Sequence, residues 1–300
     1  MKTLGIALAG GLLIALTAGC PKDPYDPDTW IEKLDEPKEA GEALQRLQQL
    51  KDPKAIKPLG EFWKSHRHPS KVLRILIELA SYQRVDPKTG EVKYGPTYEP
   101  AIPYLIEAVD QFDIGDQQSI DDAVVAADAL GRAAELGIQS PEAVTTLIAA
   151  VKKDIPKLSP GQRVRIGAVR ALGYMKDPRA VDLLIDVLTT PPTKQPIKLN
   201  AAAANALANQ ADPKAIQPLL KTMFALPPVY QQVRTALTAI GKPVVPELVK
   251  IFKGQHKELN RYAKEQNFAN DCDKGQGPNT TCKAPGALKF KAATLLGDFR

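Results

Sequence analysis

Few residues in this chain of 300 stand where chemistry would need them. The three histidines are His66, His68 and His256. His66 and His68 lie one residue apart in an expected turn, with no acid or thiol beside them in sequence, which is not the company a metal ion keeps. Asp271-Cys272-Asp273-Lys274-Gly275 begins like a calcium loop. Its glycine comes one place early, however, and the twelfth position is Cys282 where a bidentate glutamate belongs. Asn279-Thr280-Thr281 has the form of a glycosylation acceptor. No phosphate-cradling glycine loop, serine elbow or zinc-binding helix motif occurs in the chain. The expectation is a protein without a catalytic residue, a cofactor or a metal, whose working parts are its surfaces.

The elements that would carry such surfaces are repetitive. Arg163-Val164-Arg165-Ile166-Gly167-Ala168-Val169-Arg170-Ala171-Leu172-Gly173 aligns with Lys198-Leu199-Asn200-Ala201-Ala202-Ala203-Ala204-Asn205-Ala206-Leu207-Ala208. Each run then reaches an Asp-Pro, at Asp177-Pro178 and at Asp212-Pro213, and the two prolines are 35 residues apart. A self-match at that period marks a stacked-repeat architecture. Each unit predicts two helices and a turn. Ala168, Ala171 and Gly173, with Ala203, Ala206 and Ala208, are small enough for neighbouring backbones to approach closely. Asp177 and Asp212 are placed to cap the second helix, and the following proline suits the first helical position. That helix has apolar residues at helical spacing: Val181, Leu184, Ile185 and Leu188 in one unit, Ile216, Leu219, Leu220 and Met223 in the other. One hairpin cannot bury such a face alone, whereas a stack can.

The motifs Ala171-Leu172-Gly173, Asp177-Pro178-Arg179-Ala180-Val181 and Asp212-Pro213-Lys214-Ala215-Ile216 resemble the HEAT repeat, and more closely the short HEAT-like repeats of the phycobilisome-lyase type. Weaker copies extend the likeness over most of the chain. The resemblance implies an all-α fold, a right-handed α–α superhelix, and a role as a binding scaffold. Lyase activity belongs to a minority of that family, so the name implies no chemistry here. The alternative is an ordinary helical bundle with a chance Asp-Pro.

Residues 1–19 have the form of a leader: Lys2, then an apolar run from Leu4 to Ala18 that is short for a bilayer span. Leu16-Thr17-Ala18-Gly19-Cys20 resembles the bacterial lipoprotein cleavage box, although Thr17 stands where that box usually has an aliphatic residue. The resemblance implies cleavage before Cys20, acylation of its thiol and new amine, and a membrane anchor of several chains. The place is then the bacterial cell envelope, facing the periplasm or the exterior. An ordinary secreted protein with an unmodified Cys20 is the alternative. Downstream of a secretory leader, Cys272 and Cys282 in a polar loop predict a disulfide, worth roughly 3 kcal/mol for so short a loop.

Residues 20–36 form a proline-bearing tether and N-terminal cap, in which Trp30, with Ile31 and Leu34, either covers the first repeat or serves as an exposed contact. Residues 37–300 form the solenoid, with one insert at 84–98, expected as a small β-hairpin or an ordered loop around Asp86-Pro87-Lys88-Thr89-Gly90, and another, expected as a loop, at 254–286. The end of the chain, Ala287 to Gly297, aligns with a first helix whose partner is missing. That predicts a truncated repeat array with Phe290, Leu295 and Leu296 left as an apolar strip.

Without the leader the net charge is +5, mild and interleaved with acids, which speaks against a nucleic-acid partner. A protein or peptide is the expected partner, held by polar residues of successive second helices: Lys54, Lys57, Glu61 and Lys64, then Arg179, Asp182 and Asp186, then Lys214, Gln217 and Lys221. Residue by residue, the same pattern would also serve only to keep the helices soluble. Two further readings stand beside this one: an enzyme or enzyme accessory of the lyase branch, and a structural spacer.

Overall fold

The computed structural model describes residues 23–85, 89–90, 92–265 and 286–299. The leader, Cys20, Cys272 and Cys282 lie outside the described residues. So does the aborted calcium loop.

The chain opens on a short helix, α1 (Pro27–Glu32), capped by the Asp26 side chain on the Asp28 N–H. Trp30 and Leu34 turn inward here, and the Trp30 indole donates to the Pro24 carbonyl at 2.9 Å. Lys33 and Arg46 lie over its ring. Of the two uses expected for Trp30, the structure has the cover.

Six helix pairs follow among the described residues. They are α2 (Ala40–Leu50) with α3 (Ile56–Ser65), α4 (Ser70–Ser81) with α5 (Ile102–Asp110), and α6 (Gln117–Glu135) with α7 (Pro141–Lys152). Then come α8 (Gln162–Tyr174) with α9 (Pro178–Thr189), α10 (Ile197–Gln210) with α11 (Ile216–Ala225), and α12 (Tyr230–Ile240) with α13 (Val245–Phe252). The architecture is an all-α HEAT-like solenoid. Among the described residues the one sheet is a hairpin between α4 and α5, β1 (Arg84–Val85) antiparallel to β2 (Val92–Tyr94), where the turn chemistry placed it.

The Asp-Pro signals act as caps. Asp52, Asp177 and Asp212 accept from the N–H two residues on, at 2.9, 2.9 and 2.8 Å. Pro178 starts α9 directly, while Pro53 and Pro213 first make one tight 3-10 turn. The missing N–H of proline costs nothing at that position.

First helices stack on first helices through small residues. A Cβ on Gly131 would lie 3.1 Å from the Ala171 Cα, and one on Gly173 only 2.7 Å from the Ala206 Cα. The resulting core is continuous from Trp30 to Leu295. A satellite cluster of Phe112, Ile120, Ala123, Ile155 and Val164 sits under the start of α6.

Two expectations need correction. The insert expected from residue 254 is not loop throughout: it contains a helix, α14 (Lys257–Glu265), because Leu259 and Ala263 are one turn apart and both buried. The terminal helix, α15 (Gly286–Gly297), does not continue the row of first helices but packs against α13. Leu288, Ala292 and Leu295 share one face and are covered there, and Leu296 is partly covered. Of the expected apolar strip only Phe290 is exposed, at 74%.

Candidate functional site

The second-helix residues proposed from sequence fall on the first, fourth and fifth of the six units, and the structure shows what they touch. Lys54 lies in the turn before α3, with Lys57, Glu61 and Lys64 along α3. Arg179, Asp182 and Asp186 lie on α9, and Lys214 in the turn before α11, with Gln217 and Lys221 on α11. Most reach the neighbouring unit. Lys64 pairs with Glu107 at 2.7 Å, and Glu61 accepts from the Tyr104 hydroxyl at 2.7 Å. Arg179 donates to the Thr145 hydroxyl at 3.2 Å, Lys214 lies 3.6 Å from Asp182, and Gln217 donates to Glu247 at 3.1 Å. Lys221 lies 3.7 Å from Glu258 on α14. Lys54, Lys57 and Asp186 are exposed. These residues form a seam of polar contacts between units, open to solvent along its length.

Beside that seam runs an edge where each second helix ends and the next unit begins. Open carbonyls at a helix end must be met by something, and here the following unit supplies the donor. Arg165 donates to the Val151 carbonyl at 2.8 Å. Asn200, its partner in the 35-residue alignment, donates to the carbonyls of Leu188 at 2.9 Å and Thr190 at 2.8 Å. Arginine and asparagine look unrelated in sequence, but both put an N–H at the same register.

Two clefts open on this edge. The polar one, about 230 Å³, lies between the ends of α3 and α5 and the starts of α4 and α6. Its rim is a backbone turn in which Arg67 and His68 both have left-handed φ, 59° and 55°. His68 tilts against the Trp63 ring and lies 3.2 Å from Glu107. The sequence reading left His68 without acidic company. Stacking of α5 beside α3 supplies the acid from 39 residues away. His66 turns back on its own helix, stacked on Phe62. Across the cleft the Ser70 hydroxyl donates to Asp122, and Gln118 donates to the same carboxylate at 3.3 Å.

The electrostatics of the cleft are those of held charges. Burial acts to raise the Glu107 carboxyl, but the hydrogen bonds from Lys64 and His68 outweigh it and hold it below the ordinary value. Burial and the bond to Glu61 push the Tyr104 phenol up. Both shifts run away from neutrality. Among the described residues no group of three or more His, Cys, Asp or Glu is arranged to hold a metal ion.

Sequence reasoning missed this cleft because its parts come from four elements. One signal was available: Asp122 falls in helical register with Ala126, Ala129 and Ala133, all buried, and so had to point inward. The second cleft, about 410 Å³, lies three units further on and is more apolar. Leu188, Pro191, Pro192, Leu226 and Tyr262 line it, with Lys221 at its mouth and Asn200 at its base.

Comparison with known proteins agrees with the repeat geometry. Residues 114–196 match the family model for HEAT repeats, and residues 199–223 match that for the PBS lyase HEAT-like repeat. The stretch from 114 to 223 is therefore a run of HEAT-type repeats, and the helix pairs on either side continue its stacking. No curated protein matches the chain. Among the described residues no helix is long and apolar enough to cross a membrane.

Proposed function

We propose that this chain is a lipid-anchored repeat scaffold that holds another protein or peptide in the bacterial cell envelope. The observation that carries the reading is the set of solvent-open polar bridges that second-helix side chains make to neighbouring units: Lys64 to Glu107, Arg179 to Thr145, Lys214 to Asp182 and Gln217 to Glu247. The leader and the cleavage box ending in Cys20 supply the address, and the HEAT-type repeats supply the architecture. The anchor is tested by metabolic labelling with a fatty acid. The wild-type chain should carry the label and Cys20→Ala should not; label retained in the variant would overturn the anchor.

Docking is tested with a photo-crosslinking residue at Lys54 or Asp186 in native envelopes. Arg170 and Asn205, exposed on first helices, serve as controls. A discrete adduct from the second-helix positions alone is expected. Equal background from both faces would overturn the placement.

The enzyme reading has one observation in its favour, the gathering of His68, Glu107, Asp116 and Asp122 around the polar cleft. The direction of the Glu107 shift weighs against it, since a firmly ionised, doubly bonded carboxylate is a poor proton carrier at neutral pH. The Ser70 hydroxyl donates a hydrogen bond to Asp122 with no histidine between them, so it lacks the imidazole base that activates a serine nucleophile.

A further inference from the structure

The fold is fixed from Asp23 onward. The Tyr25 N–H rests on the Asp23 carboxylate at 2.9 Å, and the Asp26 N–H on the Asp23 carbonyl at 3.1 Å. The Pro24 carbonyl takes the indole N–H of Trp30, which is itself buried in the core. Asp23 is therefore tied to the first repeat, and it lies three residues after Cys20. Three residues reach at most about 11 Å, whatever their conformation. The headgroup layer of a bilayer occupies roughly 5–7 Å of that reach. An acylated Cys20 leaves the first unit no room to stand away from the membrane.

The surface beside this point has the composition of an interfacial one. Tyr25 is 81% exposed, more than any other aromatic side chain among the described residues. It stands at the rim of an open hollow of about 710 Å³, where Arg46, Leu50, Lys51 and Tyr82 are its neighbours. A bilayer surface selects such residues, with tyrosine rings among the headgroups and cations on long stems reaching phosphate. Lys51 pairs with Glu78 at 3.3 Å and Arg46 with Glu42 at 3.6 Å. Both are exposed pairs that solvent screens, so a phosphate can displace them. The acids close by are held on backbone N–H groups: Asp23 on Tyr25, Asp26 on Asp28, and Asp52, the one acid lining the hollow, on Lys54.

We infer that the first unit lies on the bilayer that holds the anchor, with the Tyr25 ring in the headgroup layer and Arg46 and Lys51 turned to lipid phosphate. The inference rests on the anchor proposed above and gives the scaffold an orientation. The first unit is taken up by the membrane surface, which leaves α9 and α11, in the fourth and fifth units, to a partner. The exposed acids Asp28 and Glu32 on α1 set a limit: the contact is made to phosphate at close range and gains nothing from a net negative membrane.

The test uses the full mature protein in phosphatidylcholine vesicles, with acylation of Cys20 read from the mass of the N-terminal peptide. Its tyrosines are replaced by 3-fluorotyrosine, and a small share of the lipid has a nitroxide on the headgroup. The fluorine signals of Tyr25 and Tyr82 should broaden several-fold more than that of Tyr174, at the end of α8 in the fourth unit. A ten-residue glycine–serine spacer after Lys22 adds about 17 Å of reach. It should leave the broadening in place, because the surface itself holds the lipid. In the spacer chain, Tyr25→Ser should cut the Tyr82 broadening several-fold, and so should Arg46→Gln with Lys51→Gln.

If Tyr25 and Tyr82 of the acylated protein broaden no more than Tyr174, the inference falls while the anchor stands. Broadening lost with the spacer alone also overturns it, since the tether and not the surface then makes the contact. Broadening unchanged by the substitutions in the spacer chain does the same. A Cys20 found without acyl chains takes down the anchor and this inference with it.

Discussion

The first-helix row and the second-helix row of this solenoid are held together by different physics. In the first row the contacts are made by what is absent: Gly131 lies against Ala171, Gly167 against Ala127 and Gly173 against Ala206, with backbones close enough that most side chains would not fit. In the second row the helices stand apart and long polar side chains bridge them, as Arg179 does to Thr145 and Lys214 to Asp182. Close packing is intolerant of added volume. Exposed polar bridges are each worth little, about 0.2–1 kcal/mol. Stability should therefore reside in the first row, leaving the second free to change its surface.

The largest effect that would sharpen this contrast is at Gly173. Its Cβ position is 2.7 Å from a backbone atom of Ala206, which no rotamer change can relieve. Gly173→Val should destabilise the α8–α10 region by about 3 kcal/mol, the upper range for overpacking, read as faster hydrogen exchange in those helices. Gly41 is the control: it is also helical and has nothing within 4 Å of its Cβ position. Gly41→Ala should stabilise by up to about 1 kcal/mol, because only the helix-propensity gain remains. If both substitutions cost the same, close packing is not what holds the first row.

The edge between the rows comes next. Asn200 closes the carbonyl end of α9 through Leu188 and Thr190, while its own Oδ1 is buried without a partner among the described residues. Asn200→Ala should cost about 2 kcal/mol, the penalty for buried carbonyls left open, and Asn200→Asp more, because no donor remains. A neutral outcome for Asn200→Ala would mean that water replaces the amide and that the edge is wetter than it looks.

What could be seen in the sequence divides along the same line. The Asp-Pro caps, the small-residue stripes and the hairpin around Gly90 are local: each is set by residues within a turn or two, so periodicity and turn chemistry expose them. The seat of α15 on α13, the burial of Leu259 and the pairing of His68 with Glu107 depend on which element arrives from far along the chain. No spacing rule carries that information. The matching jobs of Arg165 and Asn200 were within reach, since the 35-residue alignment already paired them. A comparison by residue type hid what a comparison by hydrogen-bond capacity would have found. The candidate site was the least legible part, because Trp63, Ser70, Glu107 and Asp122 meet only once four helices have stacked.

The smallest expected effect is the one that decides what the second row is for. Asp182 and Lys214 are both mostly exposed and 3.6 Å apart, so their attraction is screened by solvent and salt. Asp182→Lys should shift stability by no more than about 0.5 kcal/mol, measured from the urea midpoint, and adding Lys214→Asp should restore it. In envelopes, a docking face and a spacer part company. If the row docks a partner, the single reversal should weaken the crosslink from Asp186, one turn away on α9. The double reversal should then not restore it, because a partner reads the sign at each position and not the pair. A crosslink that recovers fully with the double reversal would mean that the seam serves only the repeats it joins.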